Sequence, residues 1–280
     1  MTPLRLEAPA KLNLSLAVVG RRADGFHELV SDMVLLELAD RLLLMPGCSG
    51  LRVEGEAAGS LPLDRENLAW RGLRAGLDRD PELECLTLEK RVPVASGLGG
   101  GSSDAAAAWR LARRWTGRPE SARPTDMDAL AGVGADVPFF ASQLVAARVE
   151  GIGERVTAID LPREARHVVL AHPPFALRTA DVFGELRRNE WSGVAQPNGN
   201  DLLAPARRLR PELDEVFGLA AAAGGDPRLS GSGSTVFSLT DDPERADAVV
   251  RRLQRTGLRA SHTRIRAEPA SIEVIGEMEE

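Results

Sequence analysis

A glycine-rich run and two charged residues are the parts of this sequence that could do chemistry. The run GLGGG, residues 97–101, is followed by Ser102 and Ser103, Lys11 lies in APAKLNLSL, and Asp136 lies in GADVPFF. Glycine lets backbone amides approach an anion, an ammonium holds negative charge, and a carboxylate accepts a proton. Together such groups could bind phosphate and activate a hydroxyl, which is what phosphoryl transfer needs.

The glycine run has sequence patterns of regular structure on both sides. The preceding ECLTLEKRVP is typical of a strand, and Asp104–Trp115 has apolar residues at the i, i+3, i+4 spacing of a helix. The first amides of a helix lack internal partners and lie at the positive end of its dipole, so they can hold phosphate oxygens. The run fits neither G-x-x-x-x-G-K-[ST] nor G-x-G-x-x-G. We favour an anion site here over a surface turn.

A second glycine-rich run, LSGSGSTVFSL, spans Leu229–Leu239 and precedes a predicted strand. It could close over the same phosphates as the first run, or it could be a hairpin loop. Spacing alone leaves the two alternatives open.

Lysine is scarce in this chain, because only Lys11 and Lys90 among 35 basic residues are lysine. Lysine supplies a compact point charge where arginine supplies a flat fork, so a retained lysine suggests a specific role. Strand alternation places Asn13 on the same face as Lys11. Because Pro138 favours an extended Val137, we expect Asp136 to end a loop. The alternatives are a solvated charge for Lys11 and a turn former for Asp136.

Composition sets limits on the class of protein. The net charge of −6 and the lack of a long basic run argue against nucleic-acid binding. No apolar run reaches the ~18 residues of a membrane span, and the N-terminus does not read as a signal peptide, so we expect a cytoplasmic protein. Cys48 and Cys85 form no C-x-x-C pair, and we expect neither a disulfide framework nor a zinc site. We expect the four tryptophans, Trp191 included, to be core or boundary residues.

Strand and helix patterns alternate irregularly along the chain. Predicted strands include DRLLLMPG, SGLRVEG, RVTAID, HVVLAHP and STVFSLT, and RRADGFHEL reads as a loop. Predicted helices include RENLAWRGLRAGLDRD, PTDMDALAGVG and PERADAVVRRLQRTG. This mixture favours an α+β fold over a regular parallel series. The region near 155–160 is the expected domain boundary.

The segment PVASGLGGGSSDAAAA resembles the phosphate-loop signature of the GHMP kinases, which include galactokinase and homoserine and mevalonate kinases. APAKLNLSLAVVGRRADGFHEL, GADVPFF, EGIGERV, NDLLAPA and LSGSGSTVF follow in order between about residues 8 and 240. These segments resemble the GHMP kinases that phosphorylate 4-diphosphocytidyl-2-C-methyl-D-erythritol in the non-mevalonate route to isoprenoids.

The resemblance implies an α+β fold with two domains and an active site in the cleft between them. The expected units are an ATP-binding catalytic domain, residues 1–155, with a ribosomal-protein-like α/β fold, and a ferredoxin-like substrate-side domain, residues 156–280. The implied reaction moves the γ-phosphate of ATP to the 2-hydroxyl of the cytidyl-linked substrate. Lys11 and Asp136 would be activator and base.

The resemblance also assigns binding residues. The implied ATP site comprises Pro93, Val94, Ala95, Ser96, Gly97, Leu98, Gly99, Gly100, Gly101, Ser102, Ser103 and Asn67. The implied acceptor site comprises Asn13, Phe26, His27, Thr179 and Phe183, with His27 reading the cytosine ring and Phe183 stacking on it. Mg²⁺ is inferred from the use of ATP, with Ser102 or Ser103 as a candidate ligand.

This sequence departs from the family pattern at Phe26, where many members have tyrosine; stacking would survive, but a hydroxyl contact would be lost. The alternatives are another GHMP kinase, such as a homoserine kinase, and a non-catalytic nucleotide-binding module. The expected partner is a small molecule linked to cytidine diphosphate, not a nucleic acid or a membrane. We expect a monomer or a weak homodimer.

Overall fold

The computed structural model describes residues 2–55, 58–161 and 166–276. The strands are β1 Leu4–Arg21, β2 His27–Pro46, β3 Gly50–Gly55, β4 Glu84–Lys90, β5 Ala146–Gly151, β6 Arg155–Ala158, β7 His167–His172, β8 Arg228–Leu229, β9 Val236–Thr240, β10 Arg259–Arg264 and β11 Glu273–Val274. The helices are α1 Leu68–Leu77, α2 Gly100–Trp115, α3 Met127–Val133, α4 Val137–Ala141, α5 Thr179–Glu185, α6 Leu203–Leu209, α7 Leu213–Ala222 and α8 Pro243–Arg255. The mixture confirms the α+β class.

The first sheet is built around the long antiparallel pair β1 and β2. Its order is β11-β1-β2-β4-β3. In addition, β5 pairs with the first part of β2, and β6 pairs with β5. The register of β1 on β2 shifts between Pro9 and Lys11 and again between Asn13 and Ser15. Such bulges re-aim side chains locally. They flank the two polar residues of β1 that line the cleft described below.

Helices α1 and α2 pack closely against each other because small residues lie where the two helices meet, and α2 packs on β1 and β2 of this sheet. A Cβ on Gly72 would lie 2.0 Å from the carbonyl oxygen of Ala105, and one on Gly76 would lie 2.6 Å from the carbonyl oxygen of Trp109. The buried alanines of α2 keep its surface shallow. The alanine run therefore serves to bring α2 and its N-terminus close to the sheet.

The second sheet has the antiparallel order β10-β7-β9-β8, with α8 packed against β7 and β10. It joins the first sheet through a shared core in which Leu12 and Leu36 cluster with Leu170 and Phe237. The amide of Arg266 also donates to the carbonyl of Leu35 at 2.8 Å. The cleft described below lies where these two layers meet.

Several details differ from expectation. HEL belongs to β2, and DRLLLMP is the end of that strand, because β1 continues pairing with it up to Arg21. Helix α2 begins at Gly100 instead of Asp104, since Gly99 adopts the left-handed conformation that starts it. The predicted boundary between residues 155 and 156 falls inside β6, which pairs with β5 of the first sheet.

The two cysteines correct another expectation. Cys48 and Cys85 are bonded as a disulfide that joins the start of the β3 region to β4, although no local pattern pairs them. The parallel pairing of β3 and β4 sets Gly50 opposite Cys85 and so brings the sulfurs together.

Within the part of the chain that the structure describes, none of the helices has the length and apolar character that a membrane span requires.

Candidate active site

Lys11 is a nearly enclosed charged group at the edge of the cleft. Its side chain is 5% exposed, and its Nζ donates to Asn13 Oδ1 at 2.5 Å and to the carbonyl of Gly97 at 2.9 Å. Asn13 in turn donates to Ser31 Oγ at 2.8 Å. These contacts hold the ammonium at one point beside the glycine loop.

Asp136 faces this ammonium from the other side of the cleft. Its Oδ2 lies 3.6 Å from Lys11 Nζ, and its side chain is 27% exposed. Asp136 ends a loop, as expected, but Val137 is the first residue of α4 and is not extended. Proline is tolerated in the first turn of a helix, where its missing N–H is not needed. The carboxylate, about one-quarter exposed, is therefore open to a ligand.

The glycine loop forms a cradle at the N-terminus of α2. Gly97 and Gly99 have φ angles of +78° and +71°. A Cβ on Gly99 would lie 3.0 Å from Lys11 Cγ and from Phe140 Cζ, and one on Gly100 would lie 3.3 Å from Lys90 Nζ. Bare glycines thus allow both lysines to approach the first amides of the helix. The positive end of the helix and the Lys11 ammonium border the same cleft, which suits an anion.

The second glycine-rich run packs directly on the first. Ser230 Oγ donates to the carbonyl of Gly97 at 2.9 Å, and the amide of Thr235 donates to the carbonyl of Ser96 at 3.0 Å. A Cβ on Gly231 would lie 3.1 Å from Lys11 Nζ. The run therefore borders the same cleft, and it also leads into β9.

These groups line a cleft of about 520 Å³, within the usual range for small-molecule sites. Most of the predicted ATP-loop residues line it, but Leu98 and Ser103 do not, since both are buried behind it. Asn67 also lines it, while its side chain caps α1 through the amide of Ala69 and donates to the carbonyl of Pro62. Contact of these residues with ATP stays a prediction.

The structure brings some, but not all, of the predicted acceptor residues to the main cleft. Asn13, Thr179 and Phe183 line the main cleft, and Thr179 Oγ1 lies 3.0 Å from Ser232 Oγ. His27 lies in an adjoining pocket that shares Phe183, with the two ring centroids 5.2 Å apart and nearly parallel. Phe26 is 62% exposed at the tip of its turn and lines neither pocket.

Family models match two parts of the chain. The model described as GHMP kinases N terminal domain matches residues 61–143, and the one described as GHMP kinases C terminal matches residues 182–258. The 4-diphosphocytidyl-2-C-methyl-D-erythritol kinase of Rhodopseudomonas palustris strain BisA53 is 35% identical over 91% of this chain and 94% of its own. The kinase of the same name from Deinococcus radiodurans is 41% identical, and the alignment covers 86% of this chain and 85% of that protein.

The chain belongs to the 4-diphosphocytidyl-2-C-methyl-D-erythritol kinase family. A crystal structure of a 4-(cytidine 5'-diphospho)-2C-methyl-D-erythritol kinase is 34% identical and covers 92% of this chain, with a TM-score of 0.74. A homoserine kinase from Cytophaga hutchinsonii, at 15% identity and a TM-score of 0.67, shares the fold. As a GHMP kinase, the chain is an ATP-dependent phosphotransferase with a small-molecule substrate.

A second charged cluster lies beneath the glycine cradle. Lys90 Nζ contacts Asp40 Oδ2 and, at 2.8 Å, Asp104 Oδ2, and all three side chains are at most 3% exposed. Asp40 Oδ1 accepts from the amides of Arg91 and Val92 at 2.5 and 2.8 Å. The cluster ties β2, β4 and α2 together below the glycine loop. The scarcity of lysine marked Lys90, but the sequence did not assign it a partner.

The two carboxylates of this cluster differ in environment. Asp40 uses both oxygens, whereas Asp104 Oδ1 has no partner among the described residues. Burial raises the pKa of Asp104 well above its ordinary value, against the opposing effect of the Lys90 charge. Two ionised carboxylates around one ammonium would leave a net buried charge. Burial therefore favours the neutral form of Asp104.

Trp191 is a boundary residue, as expected, and it also lines the pocket of His27, with the two ring centroids 5.6 Å apart. No local pattern in RRNEWSG indicates this second contact. The contact depends on tertiary structure, because it joins the start of β2 to the segment after α5.

Proposed function

We propose that this chain transfers the γ-phosphoryl group of ATP to the 2-hydroxyl of 4-diphosphocytidyl-2-C-methyl-D-erythritol. The proposal rests chiefly on one observation, the 3.6 Å separation of Lys11 Nζ and Asp136 Oδ2 at the edge of the glycine cradle. Family membership supplies the acceptor, since relatives that align over about nine-tenths of this chain bear that enzyme name.

The cradle suits a triphosphate. A side chain at Gly99 would occupy the space between Lys11 and Phe140, so only glycine leaves the amides open to a large anion there. Helix α2 has 16 residues, and its first amides point their N–H groups out of the N-terminal end. Bound ATP would supply the phosphoryl group that is transferred. We assign Gly97–Ser102 to its phosphates and the cleft near Asn67 to its nucleoside.

Lys11 and Asp136 have different roles in the proposed reaction. Asp136 accepts the proton of the acceptor hydroxyl, because its carboxylate is the exposed acid next to the cradle. Lys11 holds the oxygen of that hydroxyl and the negative charge that develops during transfer. Asn13 and the carbonyl of Gly97 fix its ammonium in place before a ligand arrives. Such preorganisation avoids reorientation during the reaction.

We assign the acceptor to the cleft beyond Thr179 and Phe183, with its pyrimidine toward His27. Burial and, next, the charge of Arg21 lower the pKa of His27 below its ordinary value of 6.5. The neutral imidazole has one donor and one acceptor nitrogen. It can therefore pair with the edge of a pyrimidine. Phe26, which is exposed, could fold over the base, but only when the turn at Asp24–Gly25 moves.

We infer that Mg²⁺ enters with the nucleotide. Mg²⁺ is commonly bound by few protein groups together with substrate phosphates and waters. Ser102 fits this role better than Ser103, because Ser102 lies at the cradle while the buried Ser103 faces away from the cleft. We also propose an ATP-binding unit and a substrate-side unit, with their boundary after Ala158, and a cytoplasmic monomer or weak homodimer.

A direct assay tests the proposal. Purified protein is incubated with ATP, Mg²⁺ and the cytidyl-linked substrate, and ADP release and phosphorylated product are measured. We expect turnover with this acceptor, inhibition by cytidine diphosphate that competes with the acceptor, and no turnover with homoserine. Turnover with homoserine alone would support another GHMP kinase. Nucleotide binding without phosphate transfer to any acceptor would favour a binding module.

A further inference from the structure

The ring of His27 is held between two aromatic side chains. Phe183 lies nearly parallel to it, with an interplanar angle of 22°, and Trp191 meets it edge-on at 85°. Arg188 lies over the Trp191 ring, 5.9 Å from its centroid. Trp191 therefore contacts His27, the residue that is assigned to reading the base, in the pocket that both of them line.

Trp191 is fixed by contacts on both of its chain neighbours. Glu190, just before it, bonds Arg208 at 2.5 Å and accepts from the amide of Arg187 at 2.9 Å. Ser192, just after it, donates from its amide to Asp201 Oδ2 at 2.9 Å. The same Asp201 oxygen accepts from the amide of Val18 on β1 at 2.8 Å. The indole is thus anchored to the strand that leads to His27.

The indole nitrogen of Trp191 is buried and has no hydrogen-bond partner among the described residues. A buried donor without a partner costs free energy, so a ligand that pairs it gains affinity. Cytosine offers its O2 oxygen and its unprotonated N3 as acceptors, whereas N3 of uracil carries a proton and donates. Indole N–H groups are donors only, so an indole that pairs with N3 favours cytosine over uracil.

We propose that Trp191 completes the pyrimidine subsite, where it orients the imidazole of His27 and offers its indole N–H to the base. This inference rests on the proposed function for the identity of the base. It makes Trp191 a positioning residue for His27 and a determinant of specificity between cytidine and uridine diphosphates. We expect Trp191 to affect the binding of the acceptor and not the binding of ATP.

Three variants test the role. Trp191→Ala removes the ring, Trp191→Phe keeps an aromatic edge but loses the donor, and Trp115→Phe is the control in the distant core of the first sheet. For Trp191→Ala we expect the acceptor KM to rise roughly tenfold, as for loss of an aromatic contact, with the KM for ATP and the unfolding midpoint unchanged. Trp191→Phe should recover part of this loss.

Two binding measurements complete the test. Cytidine diphosphate should change the tryptophan fluorescence of wild type and of Trp115→Phe, and the change should be smaller in Trp191→Phe. The preference for cytidine over uridine diphosphate, measured by competition, should fall in Trp191→Ala.

Three outcomes would overturn the inference in different ways. If the wild type turns over the cytidyl substrate and both Trp191 variants keep its acceptor KM and its base preference, Trp191 has no role at the subsite. If the wild type shows neither turnover nor a response to cytidine diphosphate, the proposed function fails and the inference fails with it. A loss of stability without a selective change in acceptor KM would show a purely structural role.

Discussion

Lys11 Nζ lies 3.6 Å from Asp136 Oδ2, although one residue lies on β1 and the other lies just before α4. The pair is asymmetric, because the lysine is almost fully enclosed and the aspartate is about one-quarter exposed. A fixed ammonium beside an accessible carboxylate suits activation of a hydroxyl that enters from solvent.

Asp136→Asn should remove the base without removing the nucleotide site. We expect turnover to fall roughly 10²–10⁴-fold, the usual contribution of a general base, with nucleotide binding retained. Initial rates and equilibrium dialysis with labelled ATP measure the two effects. Asp128→Asn, on the exposed first turn of α3, is the control. Retained turnover in Asp136→Asn would remove Asp136 from the mechanism.

Lys11→Arg should be strongly impaired although it preserves charge. A Cβ on Gly99 would lie 3.0 and 3.1 Å from Lys11 Cγ and Cε, and one on Gly231 would lie 3.1 Å from Nζ. The lysine side chain is therefore closely surrounded, and a planar guanidinium does not fit there. We expect kcat to fall roughly 10²–10³-fold, as when a transition-state donor is lost. Lys11→Met defines complete loss of the charge. A nearly wild-type rate for Lys11→Arg would refute the point-charge argument.

Gly99→Ala and Gly117→Ala separate backbone strain from crowding. Both glycines have positive φ, +71° and +69°, but a Cβ meets Lys11 and Phe140 only at Gly99. Each variant should lose about 1–2 kcal/mol from the left-handed conformation. Only Gly99→Ala should displace Lys11 and lower kcat roughly 10²-fold, the effect of a small misplacement of a catalytic group. Equal activities would show that the cradle tolerates a side chain.

Asp40→Asn and Asp104→Asn should differ in stability. Asp40 accepts from Lys90 and from two amides, whereas Asp104, within the described part of the chain, accepts from Lys90 alone and burial raises its pKa, which favours its neutral form. An asparagine resembles a neutral acid, so Asp104→Asn should change the free energy of unfolding by no more than about 1 kcal/mol. Asp40→Asn should cost about 3–5 kcal/mol by breaking a buried ion pair. Urea unfolding at pH 7 tests this; equal losses would contradict it.

His172 should make stability fall in mild acid. Burial, together with the charge of Arg259, lowers its pKa from 6.5 to about 4. The unfolded chain therefore binds a proton below pH 6.5 that the folded protein does not accept until about pH 4. The stabilisation is complete above pH 6.5 and falls as pH drops toward 4, by at most about 3 kcal/mol. Unfolding of wild type and His172→Gln at pH 7.5 and 5 compares the slopes; equal slopes would exclude His172.

Much of the fold was predictable from local patterns. The alternation in KLNLSLAV indicated a strand, and the alanine spacing after the glycines indicated a helix, because both periodicities report which face is buried. The extent of β2 was missed because its pairing with β1 overrides the turn-like appearance of DGFHEL. The start of α2 was missed because glycines are poor helix formers, and here the packing against α1 compensates.

The site divides in the same way. The family resemblance joined Lys11, Asn13, Asp136 and the glycine loop in one site, and the structure places them around one cleft. Their roles in the reaction stay predictions. The pairing of Cys48 with Cys85 and the partners of Lys90 were not predictable, because strand register brings them together from distant positions. The second glycine run was left open for the same reason.

By itself the sequence determined the class of chemistry: a bare-amide anion site, a rare lysine and a loop aspartate. Tertiary structure alone decided which groups meet, namely Asp136 with Lys11, Lys90 with two buried aspartates, and Trp191 with His27. The reason is physical. Local periodicity follows from the geometry of one helix or strand, whereas contacts between elements depend on how all the buried surfaces fit together at once.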